Sequence, residues 1–146
     1  MALKLDMSKA YDRIEWKFLR EVMIKMGFNE WWTHLILQYV STVQYSIIHG
    51  EFEIGPIRPS RGLRQGDPLS PYLFIICAEG LSALIRQYET QKWLQGISIC
   101  RRAPNISHML FADDSYMFCK ADIGDTRKVL ELMDVYERAS GQRVNR

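Results

Sequence analysis

Three aspartates interrupt segments that are otherwise apolar. Asp6 stands between Leu5 and Met7, and Asp113-Asp114 directly follow Phe111-Ala112. A carboxylate in an apolar strand is costly unless something pairs with it. Gathering three is worse, because two like charges 4 Å apart repel by about 4 kcal/mol at an effective dielectric of 20. Such a cluster requires cations. Carboxylate oxygens are hard ligands that suit Mg²⁺ or Mn²⁺, and Mg²⁺ prefers one or two carboxylates completed by water and substrate phosphates. Two such ions about 3.5–4 Å apart activate an attacking hydroxyl and stabilise a leaving oxygen in phosphoryl chemistry. A plainer reading stands beside this one: an Asp near a strand end caps or turns the chain, and an Asp pair in a hairpin is a solvated turn. The acids alone leave both open.

The elements that must position these acids can be read from pattern. Leu3, Leu5 and Met7 alternate with Lys4 and Asp6, which predicts a short strand. Stretches 107–112 and 115–120 read as two apolar strands with Asp113-Asp114 at the tip between them. Asp12 followed by Glu15 resembles a capping box, ahead of Trp16, Leu19, Met23 and Met26 at helical spacing and Gly27 as a stop. Asn29 is placed to cap a second helix that presents Trp32, Leu35, Ile36 and Tyr39. Stretches 44–49 and 51–57 predict a hairpin turning at His49-Gly50, and 97–100 a further strand. Ser70-Pro71 opens a long helix, Ser as the cap and Pro at the first helical position, with Leu73, Ile76, Gly80, Leu84 and Tyr88 along one face. A last helix covers 125–140, using Val129, Met133, Tyr136 and Ala139, and stops at Gly141. The order predicts an α+β protein with sheet on one side and helices on the other.

The totals narrow the class. A chain of 146 residues, 47% apolar and 25% charged, supports a single domain with its own core. No apolar run approaches the roughly 18 residues of a membrane span, and the first residues lack the apolar stretch of a signal peptide. The three cysteines, Cys77, Cys100 and Cys119, form no CxxC and read as small buried hydrophobes in a reducing compartment. His34, His49 and His108 are scattered, which argues against a zinc site. A net charge of +2 neither nominates nor excludes a nucleic-acid partner.

The company of the acids carries a resemblance. The run LDMSKAYDRIEW, from Leu5 to Trp16, resembles the first catalytic motif of non-LTR (LINE-type) retrotransposon reverse transcriptases, especially plant ones. Gly62-Leu63-Arg64-Gln65-Gly66-Asp67-Pro68-Leu69-Ser70-Pro71 is similar to the second motif of that family. Phe111-Ala112-Asp113-Asp114 resembles the third, and Ser140-Gly141-Gln142-Arg143-Val144-Asn145 the start of a fourth. All four occur in the family's order and cover essentially the whole chain.

The resemblance implies a polymerase palm, a ferredoxin- or RRM-like antiparallel sheet with helices packed on one face, formed by a single partial domain over 1–146. It implies RNA-directed DNA synthesis, in which a primer 3′-hydroxyl attacks a deoxynucleoside triphosphate. The catalytic acids would be Asp6, Asp113 and Asp114. Asp6 and Asp113, with the Met7 carbonyl, would hold two Mg²⁺ (or Mn²⁺) ions, and Asp114 would be the third acid. Tyr11 matches the aromatic position that excludes a 2′-hydroxyl, with a core aromatic as its plainer role. Gln65 and Gly66 match positions that line the nucleotide. Arg58, Arg61 and Arg64 lie on an exposed loop suited to template phosphates or simply to solvent. The implied partners are an RNA template, a DNA primer and dNTPs, with no membrane; the implied compartment is intracellular, the nucleus.

The family's basic fingers residues, thumb and endonuclease do not fit in 146 residues. The expectation is therefore incomplete fingers, no thumb, an internal Met1, and no activity for this stretch alone. Two other readings compete. A decayed retroelement relic would keep the sheet and bind nucleic acid or a partner without catalysis. Another palm enzyme, such as a nucleotide cyclase, would lack the Arg64-to-Pro71 run RQGDPLSP.

Overall fold

The computed structural model describes residues 1–111 and 114–145. Asp113, with Ala112 and Arg146, lies outside the described residues. The elements follow in the order β1 (Ala2–Asp6), α1 (Trp16–Lys25), α2 (Glu30–Ser41), β2 (Tyr45–His49), β3 (Phe52–Ile57), α3 (Ser70–Thr90), β4 (His108–Phe111), β5 (Asp114–Phe118) and α4 (Ile123–Ser140). Among the described residues the protein is thus mixed α/β, with antiparallel sheets and four helices.

The larger sheet is antiparallel, in the order β1-β5-β4, and its two faces differ as period-2 patterning demands. Leu5 faces Ser115 and Leu3 faces Met117 across the β1–β5 pair. Of these four residues all but the half-buried Leu3 are buried, and both Leu5 and Met117 belong to the cluster that holds Leu19, Met23, Leu81, Ile85 and Leu132 from the helices. The alternate residues form the other face. There Met109 and Phe111 are 56% and 77% exposed, and Asp6 is exposed beside them. One face packs on helices and the other is open. The hairpin of β2 and β3 forms a separate two-stranded sheet and exposes Ile48 and Phe52. Among the described residues, no helix is long and apolar enough to cross a membrane.

Local signals place several element ends. Asn29 accepts a hydrogen bond from the Trp31 N–H at 2.8 Å and caps α2, and Asp122 does the same for α4 through Asp125. Gly141 ends α4 in the left-handed conformation, φ +79°.

Other expectations require correction. Asp12 does not cap α1: the helix begins at Trp16, its cap position is Glu15 without a side-chain bond, and residues 8–13 form a turn. Ser70 is already the first residue of α3, and its hydroxyl is buried rather than capping. The buried face of α3 runs through Leu73, Phe74, Cys77, Leu81, Ile85 and Tyr88; the anticipated Ile76, Gly80 and Leu84 sit on its shoulder, half-buried. α2 buries Thr33, Ile36 and Val40 and leaves Trp32, Leu35 and Tyr39 exposed, and Met26 is exposed at the end of α1. Stretch 97–100 contributes only an isolated bridge, Ile97 to Ile106. Cys77 and Cys119 are buried as expected, and Cys100 is exposed.

Candidate active site

β1 and β5 bring two acids from opposite ends of the chain into register: Asp6 and Asp114 are direct cross-strand partners. Partners of this kind share a face, with Cβ atoms about 4.5–5.5 Å apart, and like charges so placed destabilise a sheet. Two neighbours answer that repulsion. Lys4 lies two residues before Asp6, hence on the same face, and its Nζ is 2.9 Å from an Asp114 carboxylate oxygen. The same ammonium lies 5.9 Å from the centre of the Tyr116 ring. The hydrogen bond to Asp114 and its negative charge push the Lys4 pKa up. Asp6 is served differently, by a neutral donor: Asn145 Nδ2 donates to its carboxylate at 2.7 Å.

Asn145 belongs to the segment after α4, which runs antiparallel along β1 on the side away from β5. The Asn145 N–H donates to the Asp6 carbonyl and the Ser8 N–H to the Arg143 carbonyl, each at 2.8 Å, flanking a Met7–Val144 bridge. Backbone groups alternate sides along a strand. The Met7 carbonyl therefore faces the β5 edge, beside the two acids.

The turn after β1 carries Tyr11 and Asp12, and loop 58–69 is laced onto it. Gly62 N–H donates to the Ile14 carbonyl at 2.8 Å and Leu63 N–H to the Tyr11 carbonyl at 2.9 Å. Trp16 Nε1 donates to the Gly62 carbonyl at 2.8 Å. Gly62 sits at φ +92°, and a Cβ there would stand 2.8 Å from the Asp12 carbonyl oxygen, so only glycine allows this approach. Gln65 reaches Asp12 at 3.5 Å. Gly66 has φ +82° and nothing within 4 Å of the place a Cβ would take. Beside this lacing is a recess of about 300 Å³ lined by Asp12, Tyr39, Arg61, Arg64 and Asp67 among others. The Tyr39 hydroxyl donates to Asp67, which raises the tyrosine pKa and, as the largest cause, lowers that of the acid.

Tyr11 is half-buried and stacks on Phe74 of α3, with ring centroids 4.7 Å apart and planes 16° from parallel. Arg58, Arg61 and Arg64 are all exposed. Arg61 is engaged with Glu15 at 3.2 Å. The site residues expected from sequence thus fall into two neighbourhoods: Asp6, Met7 and Asp114 on the sheet, and Tyr11, Gln65 and Gly66 around the turn and loop. Asp113 lies outside the described residues. Among the described residues no three acidic, histidine or cysteine side chains converge as a metal set.

Sequence reasoning passed over Lys4 and gave Asn145 no role. The alternation that set Asp6 on the open face of β1 also sets Lys4 there, so that signal was present. Nothing local links Asn145 to Asp6, which is 139 residues away.

These features define a mixed α/β protein with an acidic centre on the open face of an antiparallel sheet. Comparison with known proteins makes the class specific. The family described as reverse transcriptase (RNA-dependent DNA polymerase) matches residues 1–146, and the chain belongs to that family. An uncharacterized mitochondrial protein of Arabidopsis thaliana is 59% identical over 61 residues, 42% of this chain and 50% of that protein. The Pol polyprotein of the type-1 retrotransposable element R2 of Popillia japonica is 27% identical over 143 residues, 98% of this chain and 22% of that protein. The uncharacterized 149 kDa protein of transposon TX1 of Xenopus laevis is 26% identical over the same share of this chain and 10% of its own length. The chain therefore spans half or less of each of these relatives.

The donor set fits a hard divalent cation. Asp6 and Asp114 offer carboxylate oxygens on an exposed face, a backbone carbonyl lies at their edge, and a cation, the Lys4 ammonium, is already drawn to Asp114.

Proposed function

We propose that the chain is the palm of an RNA-directed DNA polymerase of a LINE-type retroelement, one partial domain over 1–146. The observation that carries this reading is the facing of Asp6 and Asp114 across β1 and β5, two strands separated by more than a hundred residues of sequence. A solvated turn would explain an acid at a hairpin tip, but Asp114, expected there, is instead the first residue of β5. Such a turn also does not explain a second acid brought opposite from the first strand, at an electrostatic cost that Lys4 must relieve.

In this reading Asp6, the Met7 carbonyl and Asp113 would hold two Mg²⁺ or Mn²⁺ ions, with Asp114 as the third acid. When bound, such ions activate a primer 3′-hydroxyl and stabilise the departing pyrophosphate. The chain's own groups do the positioning. The stack on Phe74 fixes the Tyr11 ring as a wall that rejects a 2′-hydroxyl and so favours dNTPs. Loop 62–67, hydrogen-bonded to the turn that carries Tyr11, presents Gln65 and the side-chain-free backbone of Gly66 to the nascent pair. Arg58, Arg61 and Arg64 supply positive charge for template phosphates, Arg61 after leaving Glu15. The partners are an RNA template, a DNA primer and dNTPs, and the nucleus is the compartment.

Primer extension tests the reading. A polypeptide carrying this chain within a longer reading frame should extend a DNA primer on an RNA template with Mg²⁺. Asp113→Asn should abolish extension while the fold survives. Full extension by that variant refutes the assignment.

A further inference from the structure

Of the two acids that face each other, one is neutralised and the other is not. Asp114 has the Lys4 ammonium at 2.9 Å. Asp6 has the uncharged carboxamide of Asn145 at 2.7 Å, which holds an oxygen without cancelling its charge. The grip has two points, because the Asn145 backbone N–H also donates to the Asp6 carbonyl at 2.8 Å. A side chain tied to its neighbour only at its tip would swing with that neighbour; this one is anchored to the same residue at the main chain.

The anchor is itself fixed. Val144 N–H donates to Glu137 Oε1 of α4 at 2.9 Å. Gln142, buried, donates to the Ala10 carbonyl at 3.0 Å and accepts from the Tyr136 hydroxyl. The end of α4, the turn after β1 and β1 itself thus converge on one short segment, and the last described residue of that segment touches the Asp6 carboxylate. The terminal torsion of an Asp side chain is broad. A donor at one oxygen, Oδ2, narrows it and leaves Oδ1 directed elsewhere.

We propose that Asn145 is a positioning residue: its carboxamide fixes the Asp6 carboxylate so that the second oxygen is presented to a divalent cation on the open face of the sheet. This rests on the reading of Asp6 as a metal ligand. Partners that orient metal-binding side chains are worth about 10–100-fold in affinity in known sites.

Mn²⁺ binding to the full chain, followed by loss of the free-ion electron paramagnetic resonance signal, separates the two ideas. Asn145→Ala and Asn145→Ser, the latter polar but too short to reach, should each raise the Mn²⁺ Kd about tenfold. Their melting temperatures in EDTA should match the parent chain. Asp6→Asn should weaken Mn²⁺ binding at least as much. If Asp6→Asn weakens binding and both Asn145 variants keep the parent Kd, the positioning role is overturned and the metal reading stands. If Asp6→Asn binds Mn²⁺ like the parent, the metal reading fails and the role of Asn145 falls with it. A measurement on the unaltered chain removes dependence on how the variants fold. The Asn145 side-chain amide resonances should shift on Mg²⁺ titration with the same midpoint as the Asp6 backbone amide, and their failure to shift overturns the proposal.

Discussion

The carboxamide of Gln142 donates to the carbonyl of Ala10, 132 residues earlier in the chain, and both lie in the core. Its oxygen accepts from the Tyr136 hydroxyl at 2.5 Å, and burial pushes the Tyr136 pKa up. One polar side chain therefore satisfies a buried hydroxyl and a backbone carbonyl at once, and seats the segment after α4 under the turn that carries Tyr11. Gln142→Ala strands both partners and opens a small cavity. An unsatisfied buried group costs about 1–3 kcal/mol, so the variant should lose roughly 3 kcal/mol of unfolding free energy in urea titration. A loss below about 1 kcal/mol would show that water replaces the carboxamide at no cost.

Loop 58–69 depends on Gly62 in the same way. Alanine there meets a left-handed backbone, which costs about 1–2 kcal/mol for a residue with a Cβ, and a contact of 2.8 Å with the Asp12 carbonyl oxygen. Gly62→Ala should destabilise the chain by at least about 2 kcal/mol and free the loop from the turn. Hydrogen exchange reads the second effect directly: the Gly62 and Leu63 amides, bonded to the Ile14 and Tyr11 carbonyls, should lose protection. Gly66→Ala, at φ +82° with open space around it, should cost only the backbone strain. Equal losses in the two variants would mean that the contact with Asp12 carries no weight.

Much of this architecture was legible because its causes are local. Asn29 and Gly141 mark helix ends through bonds made within a few residues, and the alternation in β1 fixes which face Asp6 shares. What was misread has causes elsewhere in the chain. Asp12 looks like a cap because Glu15 follows at the right spacing, yet the turn is held by bonds to residues 62 and 63, so the helix starts later. The helical spacing of Ile76, Gly80 and Leu84 is real. The fully buried stripe is its neighbour, through Cys77, Leu81 and Ile85, which joins Leu19 and Met23 of α1 and Leu132 of α4 in one cluster, while Gly80 meets Phe18 and Val22 of α1 at the rim. Stretch 97–100 has the composition of a strand and, among the described residues, one bridge partner and no ladder. The family motifs single out Asp6, Tyr11 and Gln65 without reference to contacts. They said nothing of Lys4, whose role is legible only once β5 lies beside β1.

His108 provides a pH-dependent test of packing. Its Nε2 is 2.8 Å from the Ser82 hydroxyl and its Nδ1 2.8 Å from that of Ser107, on the helix-facing side of β4. Burial is the largest cause of its shift and holds the pKa below the usual 6.5, with Arg86 adding to the effect and Glu89 and Glu79 opposing it. The unfolded chain therefore takes up the proton first as pH falls. Stability is full above about pH 7.5 and declines through 6.5 toward the lower folded value, since the unfolded state binds more protons in that window. His108→Gln should flatten the dependence of the urea midpoint on pH between 7.5 and 5.5. An unchanged slope would place the titration on other groups.

Lys4 and Asp114 yield the prediction that bears most directly on the acidic centre. The ammonium stands 2.9 Å from one carboxylate on the face where a divalent cation would also be drawn. Both groups are substantially exposed, so the pair itself adds little to stability in water. Its effect is on occupancy: any cation binding between Asp6 and Asp114 competes with Lys4 for the Asp114 oxygens and meets its positive charge at close range. Lys4→Gln removes the competitor and leaves two like charges facing each other across the strands. The variant should melt slightly lower than the parent in EDTA and gain more from added Mg²⁺ or Mn²⁺. The difference between the two melting temperatures should narrow as salt is raised, because screening weakens exposed charge interactions. Scanning calorimetry across a Mn²⁺ series checks this, with Ca²⁺ and monovalent salt as controls for simple screening. If Lys4→Gln gains no more from Mn²⁺ than from an equal ionic strength of NaCl, the two acids repel without forming a cation site. Lys4 would then be only the counter-ion of an awkward sheet pair.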